Sequence, residues 1–116
     1  MFAFAHDFRI MRNDFGYMEM SESKLGMPLP PGMMATVKVK TGPSNEFRDL
    51  ILLSRRFSPA ELLALKWIDQ SVDPDKIFDV SHKLAVSVSE FGKNKENYKK
   101  LKEEMNKTAI DGCFNK

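Results

Sequence analysis

The sequence predicts an α/β chain of two or three short strands followed by about five helices, and three observations carry that expectation. Two β-type runs, residues 8–11 and 15–20, stand near the start with turn residues between and after them. From Pro31 onward, apolar residues recur at three- and four-residue steps, the spacing of one helix face. Two short strands are marginal by themselves, so the chain reads as the later portion of an α/β fold whose main sheet is supplied by residues before Met1.

Taken in order, residues 1–5 are apolar and aromatic from the first position and are read as the end of a helix. Phe8, Ile10 and Met11 alternate with Arg9 and Arg12 as in a half-buried strand, and Asn13-Asp14 supplies a turn into a second run, residues 15–20. The two runs are expected to pair as a hairpin or as neighbours. Pro28, Pro30 and Pro31 forbid helix until after themselves, and Pro31 suits the first position of a helix through Met33, Met34 and Val37 to about Lys40, ended by Gly42-Pro43.

Ser44 or Asn45 caps the next helix, whose stripe is Phe47, Leu50, Ile51 and Leu53. Ser58-Pro59-Ala60-Glu61 has the form of a capping box, with Leu62, Leu63 and Leu65 in the short helix that follows. Residues 67–72 read as extended and lead into the Asp73-Pro74 turn. Ile77, Val80, Leu84, Val88 and Phe91 then define an amphipathic helix ended near Gly92, and a more polar helix from about 94 to 109 carries Tyr98, Leu101 and Met105 on one side.

At 116 residues, with 42% apolar and 29% charged residues, the composition is that of one globular domain. Residues 1–72 would form the sheet edge and active-site helix region, and 73–116 the C-terminal helices. Eighteen basic against sixteen acidic residues is too even a balance to indicate nucleic-acid binding, and no apolar run approaches the ~20 residues of a membrane span. The mixed-sign run at residues 93–107 reads as a solvated helix face.

The single cysteine, Cys113, forms no internal disulfide and points to an intracellular, reducing compartment. The sequence does not choose among mitochondrion, peroxisome and cytosol, and its end is not a Ser-Lys-Leu peroxisomal address. His6 and His82 lack metal-ligand spacing, so no metal and no cofactor are expected. His6 reads as a hydrogen-bonded helix-end residue and Arg55-Arg56 as a helix C-terminal charge pair rather than an anion site. No nucleophile elbow or phosphate-binding glycine loop is present.

Chemistry, if the chain has any, is expected at residues 17–30, YMEMSESKLGMPLP, where Glu22 stands in a run otherwise rich in apolar and small residues. By itself, between Ser21 and Ser23, Glu22 reads more readily as a solvated loop carboxylate. Met18, Met20, Met27, Met33 and Met34 surround it, either as gap-filling core or as a surface for a long acyl chain.

The order of residues in HDFRIMRNDFGYMEMSESKLGMPLPPGMMA resembles the crotonase superfamily (enoyl-CoA hydratase/isomerase), and most closely its enoyl-CoA delta isomerases. The motif runs through Asp7, the two strand-like runs, the Glu22 to Leu25-Gly26 step and the Pro-containing helix start. A second, collinear stretch, FSPAELLALKWIDQSVDPDKI, is similar to the family's capped helix and Gly-Leu/Ile-Val-Asp step, with Lys66 where the family has Gly and the Asp kept as Asp69. The resemblance covers most of residues 3–91.

It implies the C-terminal part of a crotonase-like (ClpP/crotonase) fold and an isomerase of fatty-acid β-oxidation. Glu22 would shift a 3-enoyl-CoA double bond to the 2-position as a proton shuttle, and a carboxylate in an apolar pocket would have a pKa raised toward the working pH. Met27, Leu29 and Met34 would line the acyl pocket, with the coenzyme A thioester as substrate rather than cofactor. The hydratases' second glutamate would fall at or before Met1, which favours isomerase.

The family's enolate-stabilising N–H donors also fall outside the chain, so inactivity or impairment of the 116 residues alone is expected. Partners implied are an acyl-CoA and either a homo-oligomer, a trimer by the family's habit, or a chain that supplies the missing half. The alternative is a non-catalytic, crotonase-derived interaction or structural module.

Overall fold

The computed structural model describes residues 1–114. A 3-10 turn, Phe2–Ala5, precedes β1 (Ile10–Arg12). Four helices follow, α1 (Glu22–Leu25), α2 (Pro31–Thr41), α3 (Asn45–Leu52) and α4 (Pro59–Ala64), and then β2 (Gln70–Val72). A second 3-10 turn opens α5 (Ile77–Val88), a third closes it at Ser89–Gly92, and α6 (Lys95–Met105) and α7 (Lys107–Phe114) end the chain. The molecule is a slab of 43 × 40 × 20 Å.

The sheet corrects the expected hairpin. β1 pairs with β2 in parallel, Ile10 opposite Gln70 and Arg12 opposite Val72, across a connection that contains α1 to α4. Parallel partners need such a crossover, whereas a hairpin would be antiparallel. The register is pinned by two side chains: Asp69 accepts from the Arg9 backbone N–H at 2.8 Å, and the Arg9 Nε donates to the Trp67 carbonyl at 2.6 Å. The run at 15–20 forms no strand of its own. Gly16 has φ 103°, which turns the chain away from β1, and Met18 makes one antiparallel bridge with Phe57.

Local signals elsewhere act as their chemistry dictates. Pro31 is the first residue of α2, and Gly42 caps its end. Ser44 caps α3 by accepting from the Phe47 N–H, and Ser58 and Glu61 form the reciprocal capping box of α4. The core gathers Phe4, Met20, Val37, Leu50, Phe57, Leu62, Trp67 and Ile68, with the Phe57 and Trp67 rings 5.0 Å apart. Leu53, at the end of the α3 stripe, is 65% exposed because α3 has already ended and the chain is turning out.

Two further expectations are corrected by the C-terminal helices. Phe91 leaves the α5 stripe, because the helix tightens into a 3-10 turn at Ser89 and rotates the ring into solvent. The single helix expected at 94–109 breaks at Asn106, whose side-chain amide donates back to the Lys102 carbonyl at 2.9 Å. The break redirects α7 onto α2, where Gly112 meets Gly32 backbone to backbone and Ala109 is buried.

Candidate active site

Glu22 lies not in a loop but at the first position of a one-turn helix. The Leu25 N–H bonds the Ser21 carbonyl at 3.0 Å, and the Met27 N–H bonds the Glu22 carbonyl at 3.0 Å. Gly26 closes the turn at φ 67°, ψ 30°, a left-handed conformation that a residue without Cβ adopts freely. The Glu-Ser-Lys-Leu-Gly step is therefore a conformational unit, with a carboxylate at the head of the turn and a glycine stop at its foot. The Ser23 hydroxyl lies 3.0 Å from that of buried Ser54, which fastens this turn to the end of α3.

The Glu22 side chain is half-buried and has no hydrogen-bond or ion-pair partner among the described residues. Its neighbour Glu19 is the opposite case. Glu19 takes the Lys24 ammonium at 2.5 Å and the Arg56 Nε at 3.1 Å, and these two cations, Lys24 first, hold its carboxyl below the usual value. Arg56 also lies over the Tyr17 ring, 4.3 Å from its centroid. Arg55 pairs with Glu61 at 2.6 Å and Asp49 at 3.3 Å while stacking on Phe57. Both arginines are thus occupied by carboxylates of the chain itself. Glu19 is thus committed to the scaffold, whereas Glu22 has no such partner among the described residues.

The residues expected to line an acyl pocket are spread around the proline turn. Met27 is 59% exposed just past Gly26, Leu29 packs on the core, and Met34 is half-buried in the first turns of α2. The larger cavities lie elsewhere. One of about 560 Å³ opens between the first 3-10 turn, α2, α6 and α7 and is lined by Phe4, Lys40, Tyr98, Lys102, Ala109 and Ile110 among others. Sequence reasoning missed it, since no local pattern foretells that α7 packs on α2.

Asp7 and Asp69, the acidic positions of the two motifs, have structural partners. Asp7 is bound by Lys102 at 2.6 Å and by Lys40 at 3.9 Å, and Asp69 clamps Arg9 as described. His6 Nδ1 donates to the Phe2 carbonyl, 3.1 Å away, as a helix-end residue. Among the described residues no cluster of three or more His, Cys, Asp or Glu is placed to hold a metal, and no helix is long and apolar enough to cross a membrane.

Comparison with solved structures decides the fold. An enoyl-CoA isomerase of Mycobacterium tuberculosis superposes with a TM-score of 0.80 over 95% of this chain and 47% of its own, at 17% identity. An enoyl-CoA hydratase of Mycobacterium marinum gives 0.79 over 95% and 49%, at 20% identity. The chain carries the crotonase fold. The part it carries is the C-terminal half.

Within that crotonase-like chain, sequence similarity is to isomerases. Enoyl-CoA delta isomerase 3 of Arabidopsis thaliana is 37% identical over 71 residues, 61% of this chain and 30% of the relative. Enoyl-CoA delta isomerase 2, peroxisomal, of the same plant is 33% identical over 69 residues, 60% of this chain and 29% of the relative. The chain thus matches under a third of the length of these curated relatives. No family model matches. The crotonase resemblance drawn from the motifs, and the α/β, helix-rich architecture it implied, both hold.

Proposed function

We propose that this crotonase-like chain provides the proton-transfer carboxylate of an enoyl-CoA delta isomerase of fatty-acid β-oxidation. Glu22 removes a proton from C2 of a 3-enoyl thioester, the electron pair spreads as a dienolate over the thioester oxygen, C2 and C4, and the same carboxylic acid returns the proton to C4. The double bond moves from C3–C4 to C2–C3 with no net gain or loss of atoms. The observation that supports this reading is the state of Glu22: a half-buried carboxylate with no cationic or hydrogen-bonding partner among the described residues, on a turn within a stretch that resembles the delta isomerases. A base must be free to take a proton, and its neighbour Glu19 is not.

The oxyanion donors that such a dienolate requires are proposed to come from crotonase sequence outside these residues, either in one longer chain or from a partner. The test is conversion of a 3-enoyl-CoA to its 2-enoyl isomer, measured for the 116-residue protein alone and with a crotonase N-terminal half added. Glu22→Gln is expected to lower turnover by about 10² to 10⁴-fold while leaving the fold intact. Unchanged turnover in Glu22→Gln would overturn the assignment of the base.

A second reading, a non-catalytic crotonase-derived module, is supported by the exposed apolar side chains, among them Phe15, Leu25, Phe78 and Phe91, each more than 60% exposed. No turnover under either condition, from a protein that is folded, would favour that module over the isomerase.

A further inference from the structure

We propose that the groove bounded by α2, α6 and α7 binds a single-chain fatty carboxylate, its head group on Lys40 and its alkyl chain along Phe4, Tyr98, Ala109 and Ile110. The site is distinct from the turn that carries Glu22, with which it shares no lining residue, and it does not rest on the isomerase reading. Its volume, about 560 Å³, lies in the range of small-ligand cavities, roughly 300 to 1,000 Å³.

Charge selects the head group. The Lys40 side chain is only 11% exposed, and its nearest carboxylate, Asp7, is 3.9 Å away and already held by Lys102 at 2.6 Å. Two ammonium groups therefore share one carboxylate, and the wall carries an unbalanced positive charge. Its surroundings do not correct the imbalance: Lys99 and Glu103 on the rim pair with each other at 3.7 Å, and Arg9 and Asp69, whose fields also reach Lys40, are of opposite sign. Burial holds the Lys40 pKa below its ordinary value, which marks an ammonium that has lost water without gaining a close anion. One incoming carboxylate would supply that anion.

The body of the groove selects the rest of the ligand. Phe4 and Ala109 are buried core residues at its floor, and Tyr98 and Ile110 rise from α6 and α7 on either side. A second cavity of about 400 Å³ lies against the same Lys40, Tyr98 and Lys102, lined further by Phe8, Val39 and Met105. A charged head thus has apolar surface on both sides of its contact, as suits a linear chain rather than a compact polar anion.

Calorimetric titration of the 116-residue protein with decanoate, decanol and decyltrimethylammonium, each below its aggregation limit, tests the inference. One saturable decanoate site is expected, at least tenfold tighter than either of the other ligands. Lys40→Met should weaken decanoate at least tenfold and leave decanol unchanged. Asp7→Asn removes the competing carboxylate and should tighten decanoate several-fold, a gain that misfolding cannot mimic. Equal affinity for the three ligands, non-saturable uptake, or unchanged or weaker decanoate binding in Asp7→Asn would each overturn it. Because decanoate has neither a double bond nor coenzyme A, the result is independent of isomerase turnover.

Discussion

Lys66 shows how one side chain can occupy a place built for none. After α4 the Trp67 N–H bonds the Leu62 carbonyl and the Lys66 N–H bonds the Leu63 carbonyl, each at 3.0 Å, which is a Schellman closure. That closure sets Lys66 at φ 61°, the left-handed region. A Cβ there costs on the order of 1–2 kcal/mol, while glycine gives back about 0.5–1 kcal/mol through its freer unfolded chain. Lys66→Gly should therefore stabilise by about 0.5–1 kcal/mol and raise the melting temperature by roughly 2–5 °C. Lys66→Val should lower it. A Lys66→Gly protein that melts below Lys66→Ala would contradict this account. The sequence marked Lys66 as a departure from the crotonase motif, and the geometry explains why the motif has glycine: the backbone demand persists although the residue has changed. Glu22 was legible in a different way. Its place in the motif could be read, but its lack of a partner among the described residues could not, since Lys24 and Arg56 converge on Glu19 instead and Arg56 is 37 residues away from it.

At the level of elements, legibility followed the range of the interactions. The bounds of α2, α3 and α4 were readable because proline, serine and glycine act on their own few residues. The partner of β1 was not, because its parallel register is set by Arg9 and Asp69 across 60 residues of intervening chain. The α7 helix was merged with α6 for the same reason: its packing partner is α2, and the decisive pair, Gly32 and Gly112, lies far apart in sequence. A Cβ built on Gly112 would stand 2.8 Å from both the Cα and the N of Gly32, backbone atoms that cannot swing aside. Gly112→Ala should thus push α7 off α2 and cost about 1–3 kcal/mol, the usual range for overpacking. Urea unfolding followed by circular dichroism would read this as a lower midpoint. Gly92→Ala, with open space around its Cβ, serves as the control, and equal midpoints for the two variants would refute the close-packed crossing.

For the molecule as a whole, the response to acid follows from how its carboxylates are held. Asp14 is lowered from 3.8 to about 2, first by hydrogen bonds from the Arg12 guanidinium. Asp49 is lowered first by Arg48, Glu61 first by the Ser58 backbone N–H and then by Arg55, and Glu19 by Lys24 and then Arg56. Each folded value lies below the unfolded one, so the unfolded chain binds protons more readily as pH falls. The stability these groups contribute is therefore whole above about pH 4.5 and is lost on the way down to about pH 2. They do not weigh equally. Arg12 and Asp14 are two residues apart and exposed, so their contact survives in part in the unfolded chain and contributes little net stability. Glu19 is 14% exposed in its side chain and links the segment before α1 to the one after α3 through Arg56, a contact that exists only in the folded chain. The urea midpoint should stay level between about pH 7 and 5 and decline below about pH 4.5. Glu19→Gln, which removes the long-range carboxylate, should flatten that decline more than Asp14→Asn does. A midpoint that holds or rises toward pH 3, or an Asp14→Asn protein that loses more of the acid response than Glu19→Gln, would show that some other group governs the acid limit of this crotonase-like fold.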